Sequence, residues 1–508
     1  MARYAAIDIG SNSIRMEAAE VIPGTPPRVL ASERDVTRLG QSVFQSGRIS
    51  EEAMVLTCSV LARMAAVYRA LDVVGVRAVG TASVRDARNQ SEFLERASAA
   101  IGSPVEVITG REEARLIEMG VQSRWPHPHQ RVLIVDIGGG SAEIIASEEA
   151  RMRDAVSKPL GAVRLWEIFL SSDPPAPREL HRMHDYIQER LAGLPHRFGG
   201  ANWDRVIATS GTAAAVLCAI AGVPRAKRDR ADRVRASTAQ VRKLAKKLSA
   251  LDLAARRKVT GIGPRRAEII VPGITVLLSI LEQFQARSVN YCAAGVRDGI
   301  IADLAGRGIG RELAELSREQ RKEVERLAVR FGVPLKHGRK VAALAATLFN
   351  GFQSLHNLGP AYGKLLQAAA YLHDVGHYVN DQAHHKHSYY LVANSDMSGF
   401  TNREREFIAN LCRYHRKAMP ASDHNNHRGL DPEERRSLLL LIPLLRIADN
   451  LDRSGEQRIE SISCLLRNGQ PAIALNSSVD IELEQWAAER AGELFRHVYG
   501  RPVSIAKA

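Results

Sequence analysis

To about residue 300, short unbroken apolar runs alternate with stretches in which apolar residues recur every three or four positions. That alternation predicts strands interleaved with helices, an α/β fold. Two runs end alike. Val132-Leu133-Ile134-Val135 leads into Asp136-Ile137, three glycines (Gly138, Gly139, Gly140), Ser141, and then Ala142-Glu143-Ile144-Ile145-Ala146. Ala5-Ala6-Ile7 leads into Asp8-Ile9-Gly10-Ser11-Asn12-Ser13 and then Ile14-Arg15-Met16. Each reads as strand, tight turn, strand. Asp8 and Asp136 stand 128 positions apart, and such self-similarity predicts two related α/β domains.

Between and after these runs the pattern predicts further elements. Ser50-Glu51-Glu52-Ala53 opens a helix with capping residues. Val73 to Val79 reads as a strand ending in Gly80-Thr81-Ala82-Ser83-Val84-Arg85, the kind of strand end where an α/β fold holds a ligand. Arg85 suits either a phosphate or its neighbour Asp86. Val105 to Ile108 reads as a strand running into Thr109, an N-cap whose Thr109-x-x-Glu112 spacing fits a capping box. Glu113 points about 100° away around that helix, and spacing alone makes it a solvated first-turn carboxylate. Residues 126–130 (Pro-His-Pro-His-Gln) read as a linker. Ile207 to Ala213 (IATSGTA) predicts a strand, a turn and a helix start able to face an anion. Val289 to Gly299 predicts a last strand and the start of a helix.

The pattern changes near residue 310. Helix-period apolar runs take over, and ten of the sixteen histidines fall between His337 and His427. The expected organisation is 1–126 and 127–305 for the α/β domains, an all-α domain over 310–455, and a small α+β appendage over 456–508. In the appendage a strand is expected at Ala472 to Leu475 and a helix from Ile481 to Val498.

Composition changes this picture little, but charge does. Net charge is +14 from 70 basic and 56 acidic residues, and the stretch Arg225 to Arg266 holds fifteen Lys/Arg against three Asp. A polyanionic partner is indicated. Aromatic content is 5%, with no aromatic residue inside this stretch, so base stacking has no support and nucleic acid is not the expected partner. Arg256, Arg257 and Lys258 are the expected contacts for a long anion. The five cysteines form no CxxC pair, consistent with reduced thiols in a cytoplasmic protein. No secretory signal is evident, and the longest apolar run, Leu438 to Leu445, is too short for a bilayer.

The chemistry is concentrated in the two turns. Glycine amides approach an anion closely because no Cβ intervenes, and carboxylates beside them suggest a metal–phosphate site. A strand follows Gly138 to Gly140, which excludes a dinucleotide fingerprint or a Walker loop, since both need a helix there.

Together, DIGSNSIRM, TASVR, ITGREEARL, DIGGGSAE and ATSGTA, in this order, resemble the exopolyphosphatase / guanosine pentaphosphate phosphohydrolase (Ppx/GppA) family. The resemblance continues through HDVGH, SDMSGF and YHRKA and is to the long bacterial form. It implies two actin-like ATPase-type domains with the active site between them, then an HD-like helical domain. It implies hydrolysis of the terminal phosphate of inorganic polyphosphate, or of the 5′-phosphate of pppGpp to give ppGpp, with Mg²⁺ (or Mn²⁺). By motif, Glu113 is the catalytic base. Asp136, Glu143 and Asp8 hold the metal. Asn12, Ser13, Arg85, Gly138, Gly139, Gly140, Ser141, Ser210, Gly211 and Thr212 bind phosphates. A homodimer in the cytoplasm is expected from the same likeness. His337, His373, Asp374 and Asp449 match the ligand pattern of HD-type phosphohydrolases, implying a second divalent metal, with His377, His387 and His415 as nearby imidazoles. The rival readings are a regulator that binds polyphosphate or an alarmone without turnover, and an actin-like sugar kinase.

Overall fold

The two strand–turn–strand runs are hairpins of identical register. In the computed structural model, which describes residues 2–22, 24–41, 43–200, 202–307, 315–421, 423–467 and 470–507, β1 (Ala2–Ile9) pairs with β2 (Ile14–Val21) and sets Asp8 opposite Arg15. Strand β6 (Arg131–Ile137) pairs with β7 (Ala142–Glu148) and sets Asp136 opposite Glu143. Each hairpin adds a third antiparallel strand, β3 (Arg28–Asp35) or β8 (Arg151–Lys158). On its other side lie parallel strands: β4 (Gly75–Gly80) and β5 (Val105–Val107) beside β1, and β9 (Arg205–Thr209) and β11 (Ser288–Tyr291) beside β6. With β10 (Arg235–Ser237) on its edge, the second sheet runs β10-β11-β9-β6-β7-β8, and the first runs β3-β2-β1-β4-β5. The predicted duplication is therefore present over five strands of each sheet, β10 being an addition to the second.

The chain divides into two compact units, 1–310 and 311–508. Within the first, the two halves exchange helices. The helix Gly110–Arg124 follows β5 but packs on β7 and β8. Its Ala114, Ile117 and Val121 share a core with Val132, Ile134 and Ile145. The helix Val296–Gly306 follows β11 but covers β1, with Ile300, Ile301 and Leu304 against Tyr4, Ala6 and Val79. Where these helices cross they touch backbone to backbone: a Cβ on Gly299 would fall 1.7 Å from the Leu116 carbonyl oxygen. Only glycine permits that approach.

Buried ion pairs latch the crossing. Asp303 meets Arg115 at 2.8 Å and Arg77 at 2.9 Å, and Glu112 meets Arg115 at 2.8 Å and Arg77 at 3.1 Å.

The second unit packs the helices Leu335–Gly351, Pro360–Leu372, Asn402–Tyr414 and Pro432–Asn450 about Leu344, Leu348, Phe407, Leu441 and Leu445. The expected tail strand is the centre of β13 (Gln470–Asn476), and the expected helix is Glu482–Tyr499. Two further strands, β12 (Ser461–Arg467) and β14 (Ser504–Lys507), flank β13. They escape sequence reading because β14 is short and mostly exposed and β12 keeps Leu465 and Leu466 exposed, which blurs the alternation. Ile473, Leu475, Phe495 and Ile505 belong to the same core as the helices. Among the described residues no helix is long and apolar enough to cross a membrane.

Candidate active site

The two turns close on each other. A Cβ on Gly139 would lie 3.0 Å from the Ser11 Cβ, and one on Gly140 would lie 2.7 Å from the Ala82 Cβ. Gly139 and Gly140 are needed for this approach. Beside the contact opens a cleft of about 140 Å³, lined by Asp8, Asn12, Ser13 and Arg15 from one side and by Asp136 and Gly138 to Ser141 from the other. Glu113, Ser210, Gly211, Arg228, Arg266 and Arg297 also line it.

Glu113 is not solvated. It is 7% exposed, because its helix lies between the halves instead of on the surface. Thr109 caps that helix, its hydroxyl accepting from the Glu112 amide at 3.2 Å. Burial, then the neighbouring Glu143, hold the Glu113 carboxyl well above the ordinary range. Burial and Glu143 likewise push Asp136 up to about 7, and burial raises Asp8. Glu143 is fully buried, with its pKa raised by burial. Its Oε1 accepts from the Ser157 hydroxyl at 2.7 Å, and its Oε2 has no hydrogen-bond partner among the described residues. Four carboxylates are thus crowded where charge is expensive.

Glu112, one residue from Glu113, behaves in the opposite way. Burial disfavours its charge, but Arg115 and then Arg77 outweigh this and lower its pKa. Its carboxylate belongs to the helix crossing, with Arg115 and Arg77 as partners; of the expected capping box the half seen is the Thr109 hydroxyl accepting from the Glu112 amide.

The cations face the carboxylates. Arg15 is half-buried opposite Asp8. Burial and then Arg15 lower Arg266 to about 10. An adjoining pocket shares Arg228 and Arg266 with the cleft and adds Arg34 and Arg225. Ser210 opens the helix Ser210–Ala221 with φ of 74°, a strained value for a residue other than glycine. Its hydroxyl donates to the Ile137 carbonyl at 2.9 Å.

The Ppx/GppA phosphatase family pattern matches residues 18–307, more than half of the chain. This chain belongs to the Ppx/GppA phosphatase family. The pattern for domain III of Ppx/GppA phosphatases matches residues 320–490. Similar solved structures include an Aquifex aeolicus member of the Ppx/GppA family, 28% identical with TM-score 0.53 over 60% of this chain and 97% of that one. Another is an exopolyphosphatase from Cytophaga hutchinsonii, 26% identical with TM-score 0.55 over 59% and 97%. The duplicated sheets are accordingly of the actin-like ATPase type.

In this Ppx/GppA phosphatase the expected phosphate-binding residues divide. Asn12, Ser13, Gly138 to Ser141, Ser210 and Gly211 line the cleft. Thr212 is fully buried, and its hydroxyl donates to the Ile137 carbonyl at 3.0 Å. Arg85 donates to the Ile108 carbonyl at 2.8 Å and stands 3.5 Å from Glu113. Asp86, its alternative partner, pairs instead with Arg164. The trio chosen for a long anion is overturned in part: Arg256 is buried and paired with Asp173, and Arg257 pairs with Glu268 at 3.4 Å. The same basic stretch does reach the cleft, through Arg228 and Arg266. Sequence reading passed over these two, Arg15 and Arg297. The register of the repeat, which sets Arg15 where the second hairpin has Glu143, was the available signal for Arg15.

The second predicted set also converges, in the C-terminal unit. Asp449 Oδ1 lies 3.2 Å from His373 Nε2 and 3.6 Å from His337 Nε2, and Asp374 Oδ2 lies 3.5 Å from His373 Nε2.

Proposed function

We propose that this phosphatase removes the terminal phosphate of inorganic polyphosphate, releasing orthophosphate and a chain one unit shorter, in the cleft between the two turns. The observation that carries this reading is a wall of crowded carboxylates facing arginines that continue into a second basic pocket. Glu113, with its raised proton affinity, orients a water and takes its proton. The amides of Gly139 and Gly140 and the hydroxyls of Ser13 and Ser141 receive the terminal phosphate, while the Gly138 amide closes the turn on the Ser141 carbonyl at 3.0 Å. Arg15 and Arg266 hold the anionic remainder, and Arg228, Arg225 and Arg34 extend the track. Phosphoryl transfer needs positioning and charge neutralisation more than covalent help.

An all-oxygen donor set suits Mg²⁺, with Mn²⁺ as a substitute. The Oε2 of buried Glu143, without a hydrogen-bond partner among the described residues, and the elevated pKa of Asp136 fit such an ion. Asp8, Asp136 and Glu143 would hold it, and it would supply charge neutralisation at the phosphate oxygens.

The test is phosphate release with Mg²⁺ on long polyphosphate, tripolyphosphate and pppGpp side by side. The highest kcat/KM is expected for long polyphosphate. A higher value for pppGpp would make the alarmone the substrate of the same cleft, and binding without release from any of the three would make the protein a non-catalytic regulator.

A further inference from the structure

We infer that the C-terminal unit holds a binuclear site for divalent transition-metal ions, bridged by the carboxylate of Asp374, with His377, His384 and His415 forming a second half beside His337, His373 and Asp449. The inference is independent of the reading of the cleft.

The bridge is read from the two oxygens of Asp374. Oδ2 faces one group, 3.5 Å from His373 Nε2 and 4.0 Å from His337 Nε2. Oδ1 faces the other, 3.4 Å from His384 Nε2 and 3.6 Å from both His415 Nε2 and His377 Nε2. Ligands bonded at about 2.1 Å in tetrahedral or octahedral geometry stand roughly 3.0–3.4 Å apart. Both groups have nearly that spacing already. His387, named among the nearby imidazoles, is in neither group, and His384 takes the place expected for it.

Orientation supplies a second argument. Nδ1 of His373, His384 and His415 each faces a backbone carbonyl, of Ala370 at 2.9 Å, Asp381 at 3.2 Å and Cys412 at 2.8 Å. An N–H there leaves each Nε2 as a lone pair directed at Asp374. His337 Nδ1 faces the buried Asp452 carboxylate at 2.9 Å. Such outer partners are how proteins fix the tautomer and angle of metal-binding imidazoles.

The third argument concerns a mismatch. Nε2 of His384 and Nε2 of His415 face each other at 3.2 Å. With both Nδ1 atoms donating outward, these are two acceptors in contact. A cation between them and Asp374 resolves the conflict. Core packing of histidines accounts for one such pair by a shared proton, but not for five imidazoles converging on one carboxylate.

Five imidazoles and two carboxylates select Zn²⁺, Fe²⁺, Co²⁺, Ni²⁺ or Mn²⁺ over Mg²⁺ or Ca²⁺. His377 and Asp374 remain partly exposed, so the bridged pair has an open side, with exposed Arg416 next to His384. Two ions with an open side and an adjacent guanidinium fit an oxyanion of the phosphate class as the outer ligand.

The test uses the full chain, stripped with chelator and then titrated with Zn²⁺ in excess Mg²⁺, which occupies all-oxygen sites. Two equivalents per chain are expected for the wild type. One equivalent is expected for His384→Ala/His415→Ala, and one for His337→Ala/His373→Ala. Wild-type binding below two, or undiminished binding in both variants, overturns the inference. Mn²⁺ EPR of the wild type avoids reliance on variants. An exchange-coupled pair signal is expected at two equivalents, lost in Asp374→Asn, and isolated-ion signals only would overturn the bridge. Inorganic phosphate is expected to perturb the coupled signal, and no perturbation removes phosphate as the outer ligand.

Discussion

The hairpins β1–β2 and β6–β7 share one register and differ in the charge set opposite the aspartate. Opposite its aspartate the first carries Arg15, and the second carries Glu143. Duplication supplied the scaffold twice; the sign of this one residue divides the labour. The Asp136–Glu143 side gathers carboxylates and suits a cation. The Asp8–Arg15 side turns a guanidinium into the cleft and suits the anionic chain. Two like charges about 4 Å apart at an effective dielectric of about 20 repel by roughly 4 kcal/mol, so the carboxylate hairpin is unstable as a fully charged object without a cation. Asp136, at about 7, registers that repulsion on top of burial.

The contrast breaks most sharply at Glu113, which leans on the carboxylate side. Glu113→Gln is expected to lower kcat by roughly 10²–10⁴ with KM little changed and thermal stability equal or higher, since a costly buried carboxylate is removed. Steady-state phosphate release with a parallel melt checks this, and a loss below about tenfold would leave another residue as base.

Its neighbour sharpens the comparison. Glu112→Gln strips a partner from buried Arg77 and Arg115 and is expected to cost about 3 kcal/mol of stability while sparing kcat in the folded fraction. Denaturant titration measures the loss. Unchanged stability would mean the network repacks without it.

On the other hairpin, Arg15→Met removes charge but keeps length. Charge-assisted hydrogen bonds contribute about 1.5–3 kcal/mol, so KM for polyphosphate should rise by roughly 10- to 150-fold. Unchanged KM would place the anion elsewhere in the cleft.

The smallest effect is on pH. Asp136 binds its proton more tightly when folded than when unfolded, so without Mg²⁺ its contribution favours folding at low pH and is lost as pH rises from about 4 through about 7. Mg²⁺ displaces that proton, and its stabilisation should therefore grow over the same window. Melts at several pH values with and without Mg²⁺ test this. An equal Mg²⁺ shift at pH 5 and pH 8 would separate the ion from Asp136.

Local features were legible in the sequence to different depths. The hairpins, their repeat and the glycine turns were readable because strand period and turn chemistry are written within about fifteen residues. The exposure of Glu113 was not. Its burial comes from the helix Val296–Gly306, nearly two hundred residues away, and from the sheet of the other half. The same limit explains Arg256: a basic run reads as a solvated or anion-binding face, and only the fold brings Asp173 to it. His384 escaped notice for a simpler reason. In the run His384-His385-Lys386-His387, helical phase decides which imidazole turns inward, and phase requires the packed neighbour.

The exchange of helices between the halves has a consequence for synthesis on the ribosome. The face of the first sheet is complete once residue 107 has been made, but its covering helix ends at Gly306. At about 5–20 residues per second, roughly 10–40 s pass before that helix exists. Through this interval Tyr4, Ala6 and Val79 lack the cover of Ile300, Ile301 and Leu304, and the second half has to be translated before the first can finish folding. A nascent chain stalled anywhere between the linker and residue 296 therefore presents one incompletely covered apolar sheet face, the kind of surface a chaperone recognises.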